Sequence, residues 1–368
     1  MKLIRSSGIL LHPTSFPSPH GIGDLGKAAY NFVDFLAKAK QSLWQILPLG
    51  PTGYGDSPYA SFSSFAGNPL LINLEKLVEA GDLSPADLGN PPLFPIDKVD
   101  FGRVIDWKMP LLEKATDNFL NSAAPERKER YLAFCKEEAE WLDDFALFMA
   151  VKAHFDQKAR AENRFGAMWN NYWERGIALR HSRSVVGWRK KVAPAIARQK
   201  VLQFYFFQQW DALHTYAGQH GIRIIGDIPI FVAPDSADVW ANRRLFQLDG
   251  NGRPRVVAGV PPDYFSVTGQ LWGNPLYDWQ AVSKEGYRWW INRIKAALRM
   301  VDILRIDHFR GFEAYWEIPA AAKTAVNGRW VKAPGLQFFE TLTQELGELP
   351  IIAEDLGVIT PGVVALRE

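Results

Sequence analysis

Three carboxylates in this sequence stand where an apolar run ends. Asp227 closes Ile222-Arg223-Ile224-Ile225-Gly226, Asp307 follows residues 301–306, and Glu354 follows Ile351-Ile352-Ala353. In parallel α/β proteins the carboxyl ends of buried strands are where catalytic groups collect. A helix cap or a loop ion pair explains any one of these residues as readily, and three together less easily. Arg305 lies two positions before Asp307, a spacing that points both side chains to one side of a strand. A guanidinium there favours the ionised aspartate, which suits a nucleophile or an electrostatic stabiliser. Glu354 instead leaves an apolar run, where partial desolvation raises a carboxyl toward the range of a general acid. One carboxylate kept charged and one kept protonable is the division of labour that glycosidic cleavage requires.

Such groups need strands to hold them. Apolar runs at 8–12, 43–49, 222–227, 301–306 and 351–353 each end in a polar loop, and helix-period segments follow several of them, which predicts parallel β/α units. Ala29, Phe32, Val33 and Leu36 share one helical face after the first run. The long stretch between the second and third runs carries helix-period apolar residues at 131–155 and 195–219 without strand alternation, so it reads as a helical insertion. Five strands do not close an eight-stranded barrel; an open doubly wound sheet is the competing architecture. The last residues, 360–368, read as the opening of another helix, and the chain is expected to be an incomplete barrel.

Composition removes several function classes. With 47% hydrophobic and 22% charged residues the chain is an ordinary globular one, and Lys plus Arg (42) against Asp plus Glu (40) is too balanced for a protein driven onto nucleic acid or a membrane surface. The single cysteine, Cys135, forbids an internal disulfide and fits a reducing compartment, so the expected location is the cytoplasm. Met1-Lys2-Leu3-Ile4-Arg5 is too broken by charge to begin a signal peptide, and no apolar run reaches the roughly 18 residues of a membrane helix. The seven histidines, at 12, 20, 154, 181, 214, 220 and 308, have no metal-ligand spacing. Gly21-Ile22-Gly23-Asp24-Leu25-Gly26 matches a dinucleotide-binding pattern, but Pro13, Pro17 and Pro19 separate it from its strand, and a tight turn before a helix explains it better. No metal and no organic cofactor is expected. The 14 Trp, 11 Tyr and 23 Phe serve core packing or floors for sugars, with Trp169, Tyr172 and Trp173 a cluster open to either use.

Several segments together resemble a known family: Gly21 to Gly26 as above, Ser57-Pro58-Tyr59-Ala60-Ser61, Gly226-Asp227-Ile228-Pro229-Ile230, Pro261-Pro262-Asp263-Tyr264-Phe265-Ser266, Gly269-Gln270-Leu271-Trp272-Gly273-Asn274-Pro275, Arg305-Ile306-Asp307-His308-Phe309-Arg310-Gly311 and Ala353-Glu354-Asp355-Leu356-Gly357. They are similar to those of amylomaltases, the 4-α-glucanotransferases of glycoside hydrolase family 77, in the family's order and across essentially the whole chain. The resemblance implies a (β/α)8 TIM-type barrel with large helical insertions: residues 1–85 its first part, 86–195 the insertion, and 196–368 its continuation with a substrate-covering loop at about 228–280. It implies retaining transfer of α-1,4-glucan segments between maltooligosaccharides; a monomer is expected, and the charge balance and the lack of a membrane-length apolar run leave neither nucleic acid nor membrane as partner. Asp307 corresponds to the nucleophile and Glu354 to the acid/base. Arg305, His308 and Asp227 correspond to groups around the sugar at the scission point, Tyr59 to its aromatic platform, and Ser57 to a lesser contact. Asp263, Tyr264, Phe265, Trp272 and Asn274 correspond to a loop over bound glucan. The family's third carboxylate, an Asp after a His on a later strand, has no counterpart in these residues. Hydrolysis of the same glucans, or glucan binding without turnover, are the alternative outcomes of the same site.

Overall fold

Each of the five apolar runs becomes a strand, and all five join one parallel sheet. The computed structural model describes residues 5–354 and 356–368; residues 1–4 and Asp355 lie outside the described residues. The strands are β1 (Gly8–Leu10), β2 (Leu43–Gln45), β3 (Arg223–Pro229), β4 (Val256–Val260), β5 (Gln270–Pro275), β6 (Ile303–Asp307), β7 (Ala314–Pro319), β8 (Arg329–Lys332) and β9 (Ile351–Ala353). The parallel sheet runs β1-β2-β3-β6-β9. Its strands are added in chain order and never double back, with the helices Lys27–Lys38, Ala193–Gln219, Arg288–Met300 and Gly335–Leu346 in the crossovers. That is the progression of a (β/α) barrel; a doubly wound sheet would reverse direction at a switch point.

A second sheet was not expected from the sequence. Strands β5-β4-β7-β8 pair antiparallel, with a register shift between Val257 and Gly259. Its members lack the alternation that marks a half-buried strand: β8 is exposed along most of its length, and β5 carries Gly273 at φ 81 and ends on Pro275.

The helical stretch is not a separate body. Helices Phe101–Ser122, Pro125–Glu137, Ala139–Ala161 and Ala193–Gln219 pack into the same continuous hydrophobic core as the sheet, which runs from Phe16 to Val363. Trp210, fully buried on the last of these helices, sits 6.3 Å from Trp44 of β2. Two buried glutamines on that helix fasten the loop after β2. Gln203 exchanges both amide atoms with the backbone of Gly67 at 2.8 and 2.9 Å, and Gln209 does the same with Asn73 at 2.7 and 3.1 Å. Each satisfies a buried N–H and C=O that have no ladder partner. Trp169 and Trp173 are buried in this core, Trp169 donating to the Pro234 carbonyl at 2.8 Å, so neither ring is open to a sugar. No helix among the described residues is long and apolar enough to cross a membrane.

The glycine-rich segment is packing, not a phosphate cradle. Gly23 donates to the Thr14 carbonyl at 2.9 Å, and a Cβ there would lie 2.1 Å from the Pro13 carbonyl oxygen. Asp24, buried, accepts from Gly26 at 3.0 Å just before helix Lys27–Lys38. Replacing Gly23 by Ala forces two backbone segments apart, and we expect a loss of about 1–3 kcal/mol of stability. Urea unfolding followed by tryptophan fluorescence checks this, and a midpoint equal to that of the parent would exclude the close approach as a constraint.

Candidate active site

The register between β3 and β6 places Asp227 opposite Arg305 and Pro229 opposite Asp307. Strand periodicity then turns Arg305 and Asp307 to the same side, as their spacing demands. Arg305 Nη1 donates to both Asp227 oxygens, at 2.8 and 2.9 Å, and to Asp307 Oδ1 at 2.9 Å. The Tyr59 hydroxyl, from the loop after β2, donates to Asp227 Oδ2 at 2.7 Å. Burial pushes the Asp227 carboxyl up, and the Tyr59 and Arg305 hydrogen bonds pull against it. Burial, and then Asp227, push the Tyr59 phenol well above its usual range, so it stays a donor. Tyr59 itself is set by Ser57, whose hydroxyl accepts from the Tyr59 N–H at 3.3 Å.

Glu354 enters from the next strand. β9 pairs with β6 through Ile306 and Ala353, and the Glu354 N–H continues the ladder by donating to the Ile306 carbonyl at 3.0 Å. The His308 N–H donates to Glu354 Oε2 at 2.9 Å. That contact depends on an unusual backbone: His308 sits at φ 55, ψ 44, in the left-handed region a non-glycine residue seldom enters. Burial raises the Glu354 pKa and the neighbouring Asp307 charge raises it further, against the His308 hydrogen bond. A carboxyl held up in this way keeps its proton to higher pH and loses it as pH rises through the shifted value.

His308 is itself buried enough to be neutral, its pKa lowered to about 4 by desolvation and by Arg310. Its Nε2 is buried without a protein partner among the described residues, a polar atom of the kind a bound hydroxyl would satisfy. The Trp272 ring meets it edge-on, with centroids 4.9 Å apart.

Asp307, His308, Tyr59, Ser57, Trp272 and Asn274 all line one cleft of about 1030 Å3. The Asn274 amide donates to the Val232 carbonyl at 2.9 Å, tying β5 to the loop after β3. Asp263, Tyr264 and Phe265 lie elsewhere, at the tip of the loop joining β4 to β5 and outside the cleft lining. There Asp263 Oδ1 accepts from the N–H groups of Phe265 and Ser266 at 2.9 and 2.8 Å, and Tyr264 and Phe265 are almost fully exposed. The cleft also takes Lys152, Asp156, Arg160, Arg164 and Phe165 from the helical stretch, none of them singled out from the sequence. The available signal was weak: 152, 156 and 160 recur every four residues and so share one helical face, but the helix carries other charged residues, among them Asp143, Asp144 and Lys158. Elsewhere, His20, Asp24 and Glu75 bring three potential metal-ligand atoms within 4.8 Å of one another. The buried Lys108 amine lies 3.8 Å from Asp24 and donates to the Leu70 carbonyl at 2.7 Å, so a basic side chain already stands beside that cluster.

The 4-alpha-glucanotransferase family model matches residues 11–368. The chain is 52% identical to a 4-alpha-glucanotransferase of Thermus thermophilus over all of this chain and 71% of that protein, and 50% identical to one of Synechocystis over 99% and 70%. Among solved structures, amylomaltase from Streptococcus agalactiae in complex with acarbose superposes with a TM-score of 0.93 at 42% identity, over 99% of this chain and 71% of that one.

The electrostatics can be tested at one carboxyl. Asp307→Asn removes the charge that helps hold Glu354 up, so the Glu354 pKa should fall. Carboxyl 13C NMR titration of the two chains reads the change, and a value that stays or rises would show that the two groups are not coupled.

Proposed function

The chain belongs to the 4-alpha-glucanotransferase family, glycoside hydrolase family 77, and on that premise we propose that it moves α-1,4-glucan segments between maltooligosaccharides by two displacements at Asp307. In the first, an Asp307 oxygen attacks the anomeric carbon as Glu354 gives its proton to the departing glycosidic oxygen, leaving a glucosyl ester on Asp307 and a free reducing-end fragment. In the second, Glu354, now ionised, takes the proton from the 4-hydroxyl of an incoming sugar. That oxygen displaces Asp307 and rebuilds the α-linkage. Atoms balance without an added reactant. Nucleophile and proton both come from side chains, so the proposal calls on no metal or organic cofactor.

The observation that carries this reading is the paired environment of the two carboxylates. Asp307 accepts from Arg305 at 2.9 Å, which stabilises a charged nucleophile and leaves its other oxygen free of that guanidinium. Glu354, raised by burial and by Asp307, is poised as the acid. Tyr59 offers a ring face beside the nucleophile, locked through Asp227, and the neutral His308 offers its unpartnered Nε2 to a sugar hydroxyl. Trp272, partly exposed against His308, supports a role in shielding the covalent intermediate from water until an acceptor enters. The charge balance and the single Cys135 support a cytoplasmic enzyme, and we read it as a monomer.

Incubation with maltotriose and chromatography of the products tests the reaction. Chains longer than the input mark transfer; glucose and maltose alone mark hydrolysis. Asp307→Asn should lower kcat by at least about a thousand-fold, and a crystal structure should place the Asp307 and Glu354 carboxyl groups about 5–5.5 Å apart. Trp272→Ala should raise the ratio of hydrolysis to transfer, and an unchanged ratio removes the shielding role.

A further inference from the structure

The helix Ala139–Ala161 turns Lys152, Asp156, Ala159 and Arg160 toward the cleft, positions i, i+4, i+7 and i+8 of one helical face. The segment after it continues that wall and ends in a side chain the fold does not use: Phe165 is 95% exposed and lines the same cleft as Asp307 and Trp272. A solitary exposed apolar residue elsewhere on the surface needs no explanation. One standing in a reaction cleft, on a loop built to hold it there, does.

The loop is held from behind. Asn171 accepts from the Met168 N–H at 2.8 Å and donates to the Gly166 carbonyl at 3.1 Å. The Arg164 guanidinium lies over the Tyr172 ring, 4.7 Å from its centroid, and Tyr172 donates to Glu162 at 2.7 Å. Gly166 takes φ 67, which frees the turn next to the phenylalanine. The neighbouring Arg164, itself part of the cleft lining, is thus held against Tyr172, and the Phe165 ring is left uncovered in the cleft. Below it, Lys152 is tied between Asp156 at 3.2 Å and Asp235 at 2.8 Å, so this wall offers fixed polar groups under an apolar face.

We propose that Phe165 is a platform for a sugar unit of an α-1,4-glucan, away from the cluster of Tyr59, Asp227, Arg305, Asp307 and Glu354, and that it sets the preference for long over short chains. The inference rests on the glucan reading of the site. The cleft volume of about 1030 Å3 lies at the top of the roughly 300–1,000 Å3 typical of small-molecule sites, so one sugar ring leaves most of it unfilled. A neutral polyhydroxylated chain matches an exposed aromatic face next to donors and acceptors of both signs. The charged side chains of the lining balance, Lys152, Arg160 and Arg164 against Asp156, Asp235 and Asp307, so no net charge selects an ion of either sign, and a purely apolar ligand would leave these polar groups without partners from the ligand.

Affinity separates this proposal from the reaction. In an Asp307→Asn chain, calorimetry with maltotriose and with maltoheptaose gives a ratio of dissociation constants. Adding Phe165→Ala should cut the preference for maltoheptaose about five- to ten-fold, the size of a lost aromatic contact. Phe165→Trp should keep it, and so should Leu93→Ala, which removes another exposed apolar side chain outside the cleft. An undiminished ratio with Phe165→Ala, or an equal fall with Leu93→Ala, overturns the platform. Absence of products longer than maltotriose from the unmodified chain would instead overturn the transfer reading, and the affinity ratio would still decide the role of Phe165.

Discussion

A single guanidinium group organises the strand ends. Arg305 bridges Asp227 and Asp307, and both carboxylates lie within hydrogen-bond reach of the same nitrogen. Partly buried charges are costly unless each is paired and its remaining lone pairs are met. Here Tyr59 meets one oxygen of Asp227, the residue with least access to solvent. The arrangement follows from the β3–β6 register, which sets Asp227 beside Arg305. A one-residue slip would turn Arg305 and Asp307 to the opposite face and leave the buried Asp227 unpaired. Register and charge pairing therefore enforce one another.

The proposed acid, Glu354, is positioned by backbone more than by side chains. Glu354 receives the His308 N–H while its own N–H extends the ladder to Ile306, so the carboxyl is clamped to the residue that follows Asp307. The left-handed turn at His308 is local strain of a kind that survives only where the surroundings over-determine it. The next residues supply that support: Phe309 and Phe312 are buried, and Phe312 stacks on Phe338 with centroids 4.9 Å apart. The aromatic richness of the sequence is thus spent mostly on rigidity. Only a few rings, among them Tyr59, Trp272 and Phe165, are left facing the cleft.

The helical stretch earns its place by building the cleft's second wall. Sharing one core with the sheet, and locked to the loop after β2 by Gln203 and Gln209, it cannot drift relative to the strand ends. Lys152 joins the two parts directly, pairing with Asp235 of the loop after β3 while its ammonium lies 5.1 Å from the Phe62 ring centroid. The width of the cleft is consequently a property of packing in this core.

Much of this was legible in the residues alone. The five apolar runs, the carboxylates ending three of them, and the two-residue step from Arg305 to Asp307 are local patterns with a fixed geometric meaning on a strand, so sequence determined which side chains would share a face. Sequence also showed that Gly21 to Gly26 was a turn, because the prolines before it break the strand-to-helix step that a nucleotide site needs. Only tertiary structure decided the rest. The pairing of Asp227 with Arg305 joins residues 78 apart, and the clamp of Glu354 on His308 joins residues 46 apart. The antiparallel sheet gave no alternation to read, since its two central strands are buried through consecutive residues and its edge strands are mostly exposed. Phe165 and the stripe at 152, 156 and 160 looked like the surface of an ordinary helix and loop. What made them a cleft wall was the docking of that helix on the shared core, and docking is a sum of many weak contacts between distant residues that no local spacing encodes.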